Sequence, residues 1–554
     1  MPISIKRYDS LGEILWDALI QYKSRVALIE IDRKKLNHQV TYAELMNAAS
    51  HLVNEFNAVG LEPGDRILIQ MSNQTRWIVA AIAGFYCGAV VVPVDVKASE
   101  DETKHYINEA KPKIIICEKH SLKRVRKSFE KVFVFAPNID CDEFTKDLIL
   151  DFSETLLKGK RAFRDIDDQA TLVFSSGTGG SIKGCKLSHK NYLFQYDSLV
   201  EEYPMVEGDV FFSVLPKHHA IDFMCGFIAP LLTGATVVHQ LSLRPEFLKH
   251  TMKTFAVTHT TFVPLILESI RSSIIRKIDD LPNLKKSIFR QLSKFSGRLG
   301  TGKSSTGLKK AIFGEVHSEL GKDLKYIFCG GAYCNPEMIQ FYHQLGINTV
   351  IGYGLTEACT VVTLQRQNEL SPASVGKPVK GVELEIVKPN SDGVGEVAVK
   401  APTVFMGYQG KEDSNIRDGW LMTGDLGCLT PAGELILVGR SKNIIVTPGG
   451  KNIYPEEIES AANGIIDTEL VALSSQSLQE RNSLNNDRVI AVVRNFDRDV
   501  LKQIKKLNSK LSPHKRISAV INWDKDFPLT SSLKVKRGDL VSQLRSSKFV
   551  LQEV

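Results

Sequence analysis

Leu172 to Leu187 reads LVFSSGTGGSIKGCKL, and the rest of the chain is best understood outward from it. A short apolar run, Leu172, Val173 and Phe174, delivers the backbone into Ser175, Ser176, Gly177, Thr178, Gly179 and Gly180. Lys183 closes the turn. Small residues let backbone N–H groups crowd around an anion, hydroxyls add donors, and an ammonium adds charge. That combination suits the phosphates of a nucleotide. Taken alone, the stretch is equally compatible with an ordinary Gly/Ser surface loop. The downstream residues decide.

The chain has 554 residues, too many for one core, so at least two domains are expected. An apolar content of 43% with 24% charged residues is that of an ordinary globular protein. The net charge of +7 arises from 70 basic and 63 acidic side chains spread along the chain. No block is dense enough to argue for nucleic acid, while contact with an anionic membrane surface stays open. Nine cysteines without metal-ligand spacing suggest reduced thiols and a cytoplasmic protein. The start, MPISIKRYDS, has no apolar signal core. Trp77 to Val94 imitates a membrane span in length, but Gly84, Gly88 and Pro93 punctuate it, and a buried helix running into a strand fits better.

Ser10 with Glu13 and Thr41 with Glu44 are expected capping boxes. The second opens a helix with Leu45, Ala49, Leu52 and Phe56 on one face and Gly60 as its stop. Strand-like runs alternate with such helices (Arg66–Gln70, Val90–Val94, Ile114–Cys117, Val132–Phe135, Val210–Leu215, Thr236–His239, Thr349–Ile351), which predicts an α/β fold with mainly parallel strands. From Gly376 the texture changes to strand–turn–strand, as in a compact β subdomain. Beyond Arg440 a small α/β unit is expected to end in a helix around Val500–Leu511 and a Lys-rich tail. Gly297 to Ser304, GRLGTGKS, satisfies the phosphate-loop expression, yet the preceding Leu284–Phe295 has a basic helical texture where that motif needs a strand. A flexible surface loop is expected there.

Further candidate sites follow strand-like runs. Val214-Leu215-Pro216-Lys217-His218-His219 carries paired histidines that are otherwise core or surface residues. In Cys329-Gly330-Gly331-Ala332 the glycines would let a flat base lie against backbone, or simply make a turn. Gly352-Tyr353-Gly354-Leu355-Thr356-Glu357 puts an aromatic ring, a hydroxyl and a carboxylate together, suited to a base, a phosphate and a metal. Thr423-Gly424-Asp425 presents a carboxylate able to accept two ribose hydroxyls, and Gly439-Arg440-Ser441-Lys442 follows. Gly449-Gly450-Lys451-Asn452 and Pro528–Arg537, which includes Lys534, complete the set. Read alone, the last is a solvated basic tail.

In this order the motifs resemble those of the adenylate-forming superfamily of acyl-CoA synthetases, peptide-synthetase adenylation domains and luciferases. The long-chain fatty acyl-CoA synthetase branch is the most similar. The resemblance implies a large N-terminal domain, 1–441, of two α/β subdomains and a β subdomain, with a small mobile C-terminal α/β lid, 442–554. It implies that Ser175 through Gly180 and Lys183 wrap the β- and γ-phosphates of ATP. Gly330, Gly331, Ala332, Gly352, Tyr353 and Gly354 would border adenine, Thr356 phosphate, and Asp425 and Arg440 the ribose side. Thr178 and Glu357 are implied for Mg2+, His219 for the carboxylate pocket, Lys442 for the hinge, Gly449 and Gly450 for the pantetheine channel, and Lys534 for catalysis. Gly179 departs from a usual Thr, Ile182 from a usual Pro, and Leu533 from a usual Gly. The expected activity is that of an ATP- and Mg2+-dependent acid–thiol ligase acting on a fatty acid with coenzyme A. A carrier-protein acceptor and a catalytically lapsed nucleotide-binding protein are the alternatives. Oligomeric state is not legible.

Overall fold

The computed structural model describes residues 3–128, 132–176, 182–240, 242–300, 303–367, 369–410, 415–446, 452–462, 464–478, 488–530, 535–547 and 549–554. Alternation of apolar strands with amphipathic helices produces two large sheets. In the nine-stranded sheet, Val26–Ile31, Thr236–Gln240, Val210–Ser213, His259–Phe262, Tyr326–Cys329 and Thr349–Tyr353 lie side by side and parallel. Antiparallel strands close both of its edges. In the seven-stranded sheet, Thr145–Asp147, Phe133–Ala136, Ile114–Cys117, Arg66–Gln70, Val90–Pro93 and Gln169–Ser176 run parallel. The inner strands Arg66–Gln70, Val90–Pro93 and Ile114–Cys117 are buried on both faces, which is why they read as nearly unbroken Ile/Val/Leu runs.

Helices Leu11–Gln21, Tyr42–Ala58 and Thr75–Tyr86 pack together against these sheets and supply a large share of the main apolar core. Thr41 and Glu44 make the expected reciprocal capping box, and Leu45, Ala49, Leu52 and Phe56 are buried. At Ser10 the box is only half closed: its hydroxyl accepts from the Glu13 N–H, but Glu13 receives the Asp9 N–H instead. Trp77 to Val94 is the helix Thr75–Tyr86 turning into the strand Val90–Pro93, as expected. No described helix is long and apolar enough to cross a membrane.

The strand–turn–strand segment folds as a five-stranded antiparallel sheet built on Glu383–Val387, Gly395–Lys400, Trp420–Leu429 and Leu435–Arg440. After it comes a four-stranded sheet, Leu470–Ser474, Val489–Arg494, Ile517–Trp523 and Leu551–Glu553. Two expectations are corrected. The chain does not end in a helix and a basic tail, because Ile517–Trp523 pairs parallel to Val489–Arg494 and Arg537–Ser546 is a further helix. Buried alternate side chains, Ile517, Ala519, Ile521 and Trp523, outweigh the surrounding lysines. Gly297–Ser304 is not simply a loop: Gly297 and Arg298 end the helix Asn283–Arg298, and Lys303 opens another. As expected, no strand precedes it.

Candidate active site

Parallel strands leave backbone donors and loop residues at their C-terminal ends, where α/β proteins place ligands. Here Val210–Ser213 leads into Lys217-His218-His219. Tyr326–Cys329 leads into Gly330-Gly331. Thr349–Tyr353 leads into Gly354 and the turn Thr356–Ala358, which carries Glu357. His219, Gly330, Gly331, Gly352, Tyr353, Gly354 and Thr356 all line one cavity of about 200 Å³. Its remaining wall is largely apolar, with Leu199, Met205, Phe211, Cys225 and Val263 among the contributors. Ala332 lies outside that lining and is exposed.

Two glycines are there for space. A Cβ on Gly354 would lie 1.4 Å from the Thr360 carbonyl oxygen, so no other residue fits that backbone. A Cβ on Gly330 would meet the Gly352 carbonyl oxygen at 2.9 Å, so two neighbouring strand ends approach backbone to backbone.

Tyr353, 7% exposed, ties the cavity to the five-stranded sheet. Its hydroxyl donates to Asp425 Oδ2 at 2.8 Å, and Arg440 Nε sits 2.7 Å from Asp425 Oδ1. Asp425 and Arg440 are direct partners across adjacent strands, so the ion pair is set by sheet register. Burial, then the Asp425 charge, pushes the Tyr353 phenol well above its ordinary value, keeping it a proton donor. The Asp425 backbone N–H donates to Thr423 Oγ1, fixing the turn that aims the carboxylate.

Glu357 is held by a residue the sequence reading missed. Tyr408 donates its hydroxyl to Glu357 Oε1 at 2.9 Å, and the Lys183 ammonium lies 4.5 Å from the centre of the Tyr408 ring. Tyr408 thus joins the carboxylate to the cation of the opening stretch. Lys183 stands opposite Ser175 in the antiparallel pair Gln169–Ser176 and Ile182–Ser188, and Ser176 stands opposite Ile182. The expected phosphate residues Gly177, Thr178, Gly179 and Gly180 lie outside the described residues.

His219 precedes the short helix Ala220–Phe223, with its ring 4.3 Å from that of His218. Behind them a buried ion pair supports the turn. Lys217 Nζ donates to Ser213 Oγ at 2.8 Å and to the Gly226 carbonyl at 3.1 Å, and lies 3.2 Å from Asp222 Oδ2. Both side chains are fully buried. Burial lowers the Lys217 pKa and raises that of Asp222, each opposed by the other's charge. The sequence reading used Lys217 only as part of a motif and missed Asp222.

Towards the C-terminus, Lys442 is exposed in the turn Ser441–Asn443, directly after Arg440. Gly449, Gly450 and Lys534 lie outside the described residues. Their flanks are described: Ile445–Val446 pairs antiparallel with Asn452–Ile453, and Leu529 with Val535. Arg537, just beyond, makes a two-pronged contact with Glu459 at 2.8 and 2.7 Å. Lys536 Nζ lies 3.7 Å from Glu102, on the helix Glu100–Ala110.

No cluster of three potential metal ligands exists among the described residues, and Glu357, a hard carboxylate next to the cavity lining, fits Mg2+. One carboxylate completed by substrate phosphates is how Mg2+ is commonly held.

A family model described as AMP-binding enzyme matches residues 15–409. The chain belongs to the AMP-binding enzyme family. Relatives of this AMP-binding enzyme include probable acyl-activating enzyme 16, chloroplastic, of Arabidopsis thaliana, 26% identical over 83% of this chain and 74% of the relative. The long-chain-fatty-acid–CoA ligase ACSBG2 of Rattus norvegicus is 25% identical over 81% and 73%. The chloroplastic long-chain-fatty-acid–acyl-carrier-protein ligase AEE15 of Arabidopsis thaliana is 25% identical over 82% and 73%. Among solved structures, ATP-bound MatB from Rhodopseudomonas palustris has a TM-score of 0.74 at 22% identity, over 96% of this chain and 99% of that one. The o-succinylbenzoate CoA synthetase of Bacillus subtilis, in complex with its acyl-adenylate intermediate, has a TM-score of 0.72 at 22% identity, over 94% and 97%. These likenesses establish the α/β adenylate-forming fold.

Proposed function

We propose that this enzyme uses ATP to activate an apolar carboxylic acid, a fatty acid, as its acyl adenylate and passes the acyl group to coenzyme A. The observation that carries the reading is the single cavity that joins His219 and the Gly330, Gly352 and Thr356 strand ends to an apolar wall. One end suits a carboxylate and a nucleotide, and the other suits a hydrocarbon. Similarity to fatty-acid ligases at 25% identity supports the same substrate class.

A carboxylate is a poor acyl donor because its leaving group would be oxide. Attack of the carboxylate oxygen on the α-phosphorus forms a mixed anhydride and releases pyrophosphate. Both reactants are anions, so the chain must supply positive charge where they meet. Lys183 and Arg440 border the nucleotide side, and Lys534 is assigned the approach to the reacting phosphate. In this reading Asp425 accepts the ribose hydroxyls; its contacts with Tyr353 and Arg440, which hold the carboxylate in advance, support that role. Glu357 and Thr178 are, in the same reading, the residues that would hold Mg2+, which would neutralise phosphate charge. No general base is required, because the attacking carboxylate is already ionised.

Thiol attack on the adenylate needs a different surface at the same place. In this reading residues 442–554 pivot at Lys442, withdrawing Lys534 and presenting Gly449 and Gly450 to the pantetheine arm. A carrier protein as acceptor is the second reading, favoured by the similarity to a carrier-protein ligase at the same identity. Pyrophosphate exchange measured across acids from acetate to oleate tests the acid, with activity expected to rise along the series. Mass analysis of thioesters formed with coenzyme A and with an acyl carrier protein tests the acceptor. Exchange confined to acetate would overturn the apolar reading.

A further inference from the structure

The helix Asn283–Arg298 does not belong to the active site, and its surface is unusual. Its inner side packs through Phe289, whose ring is 5.3 Å from that of Phe313, and through Ser296, whose hydroxyl donates to the Gln344 carbonyl. Its outer side carries Leu284, Ile288, Leu292 and Phe295, which are 73%, 48%, 36% and 51% exposed. At 3.6 residues per turn these four positions fall within a sector of about 80° and form one continuous apolar stripe. Every charged residue of the helix is basic: Lys285, Lys286, Arg290, Lys294 and Arg298. Lys286 and Arg290 turn towards Asp279, at 3.0 and 3.8 Å. Lys285 on one border of the stripe, and Lys294 and Arg298 on the other, are exposed.

We infer that this helix docks the enzyme onto an anionic membrane surface, lying in the plane of the interface. Leu, Ile and Phe in a line are driven out of water, but a stripe bordered by cations on both sides is not suited to a dry protein core. At the headgroup boundary both needs are met: the apolar side chains enter the acyl region while the flanking ammonium and guanidinium groups stay among lipid phosphates. With 16 residues and that charge the helix is too short and too polar to span a bilayer. The absence of carboxylates on the helix makes the attraction specific for anionic lipid. The preceding helix, Pro264–Asp279, follows on the strand His259–Phe262, and Thr261 of that strand and Val263 at the junction line the cavity wall. Docking therefore acts close in the chain to the acyl cavity, although the inference does not rest on the identity of the acid.

The full-length enzyme is sedimented with vesicles of phosphatidylcholine alone and of phosphatidylcholine mixed with phosphatidylglycerol. Two triple variants accompany it: Leu284→Ser with Ile288→Ser and Phe295→Ser, and Lys285→Glu with Lys294→Glu and Arg298→Glu. Binding is expected only to the mixed vesicles, weakened at least about tenfold in each variant. The melting temperature and pyrophosphate exchange with a water-soluble acid should be unchanged. Failure of the wild type to bind mixed vesicles, equal binding to neutral ones, or full binding by either variant would overturn the inference. So would a lipid-free dimer that the serine variant dissociates, since a second copy would then cover the stripe. Loss of exchange in the wild type would bear on the catalytic reading instead.

Discussion

Replacing Tyr408 by Phe removes one hydroxyl and leaves the ring in place. That hydroxyl donates to Glu357 Oε1 at 2.9 Å, and Tyr408 is 4% exposed, so little water can take its place. A hydrogen bond to a charged group contributes about 1.5–3 kcal/mol. If the bond serves to aim Glu357, that energy appears as lost transition-state stabilisation, a fall of about 10- to 100-fold in kcat/KM for ATP. The cation–ring contact with Lys183, 4.5 Å in the native protein, survives in the Phe variant. Tyr408→Leu removes it as well and should cost a further ~0.5–1 kcal/mol. The assay is acid-dependent pyrophosphate exchange with ATP and Mg2+ varied, alongside melting curves to separate misfolding from misalignment. Activity of the Phe variant within about twofold of wild type, at unchanged stability, would refute the argument that Tyr408 positions Glu357.

Other outcomes follow from the same geometry. Asp425→Ala should raise the KM for ATP by more than about tenfold and destabilise the fold by ~1–3 kcal/mol, because it leaves Tyr353 and Arg440 without their shared acceptor; titration of ATP and urea unfolding measure the two. Lys534→Ala should abolish adenylation while sparing thioester formation from supplied acyl adenylate, and equal loss in both half-reactions would contradict a two-position lid. Burial holds both His189 and His218 down to about 3. Their stabilising effect is therefore fully present above the unfolded value near 6.5 and is lost as pH falls towards 3, by about 2 kcal/mol each at pH 5. Urea unfolding at pH 7.5 and pH 5 checks this, and a stability that is level or higher at pH 5 would contradict it.

Most of the strand ends that build the site could be read directly, for a physical reason. A parallel strand buried on both faces must be an apolar run, and the glycine-rich turn that follows must admit a ligand or a neighbouring backbone, so Tyr326–Gly331 and Thr349–Gly354 declare themselves. Tyr408 does not. It reaches Glu357 across 51 residues through a bridge to Cys185, and nothing in its local pattern marks a partner so distant. Asp222 was equally silent, since a carboxylate in a short helix looks solvated until its partner Lys217 is seen to be buried with it. The strand Ile517–Trp523 was hidden by flanking lysines, whose charge masked an alternation that burial makes plain. The stripe on Asn283–Arg298 was visible as basic helical texture, but only its exposure reveals that the apolar side is not core.

The central claim is that a carboxylate oxygen of the acid attacks the α-phosphorus of ATP. Running the reaction with a fatty acid labelled with oxygen-18 in its carboxylate, and weighing the products, tests it most directly. The account predicts one labelled oxygen in AMP and none in pyrophosphate. Label in inorganic phosphate with formation of ADP, or AMP carrying oxygen only from water, would contradict it.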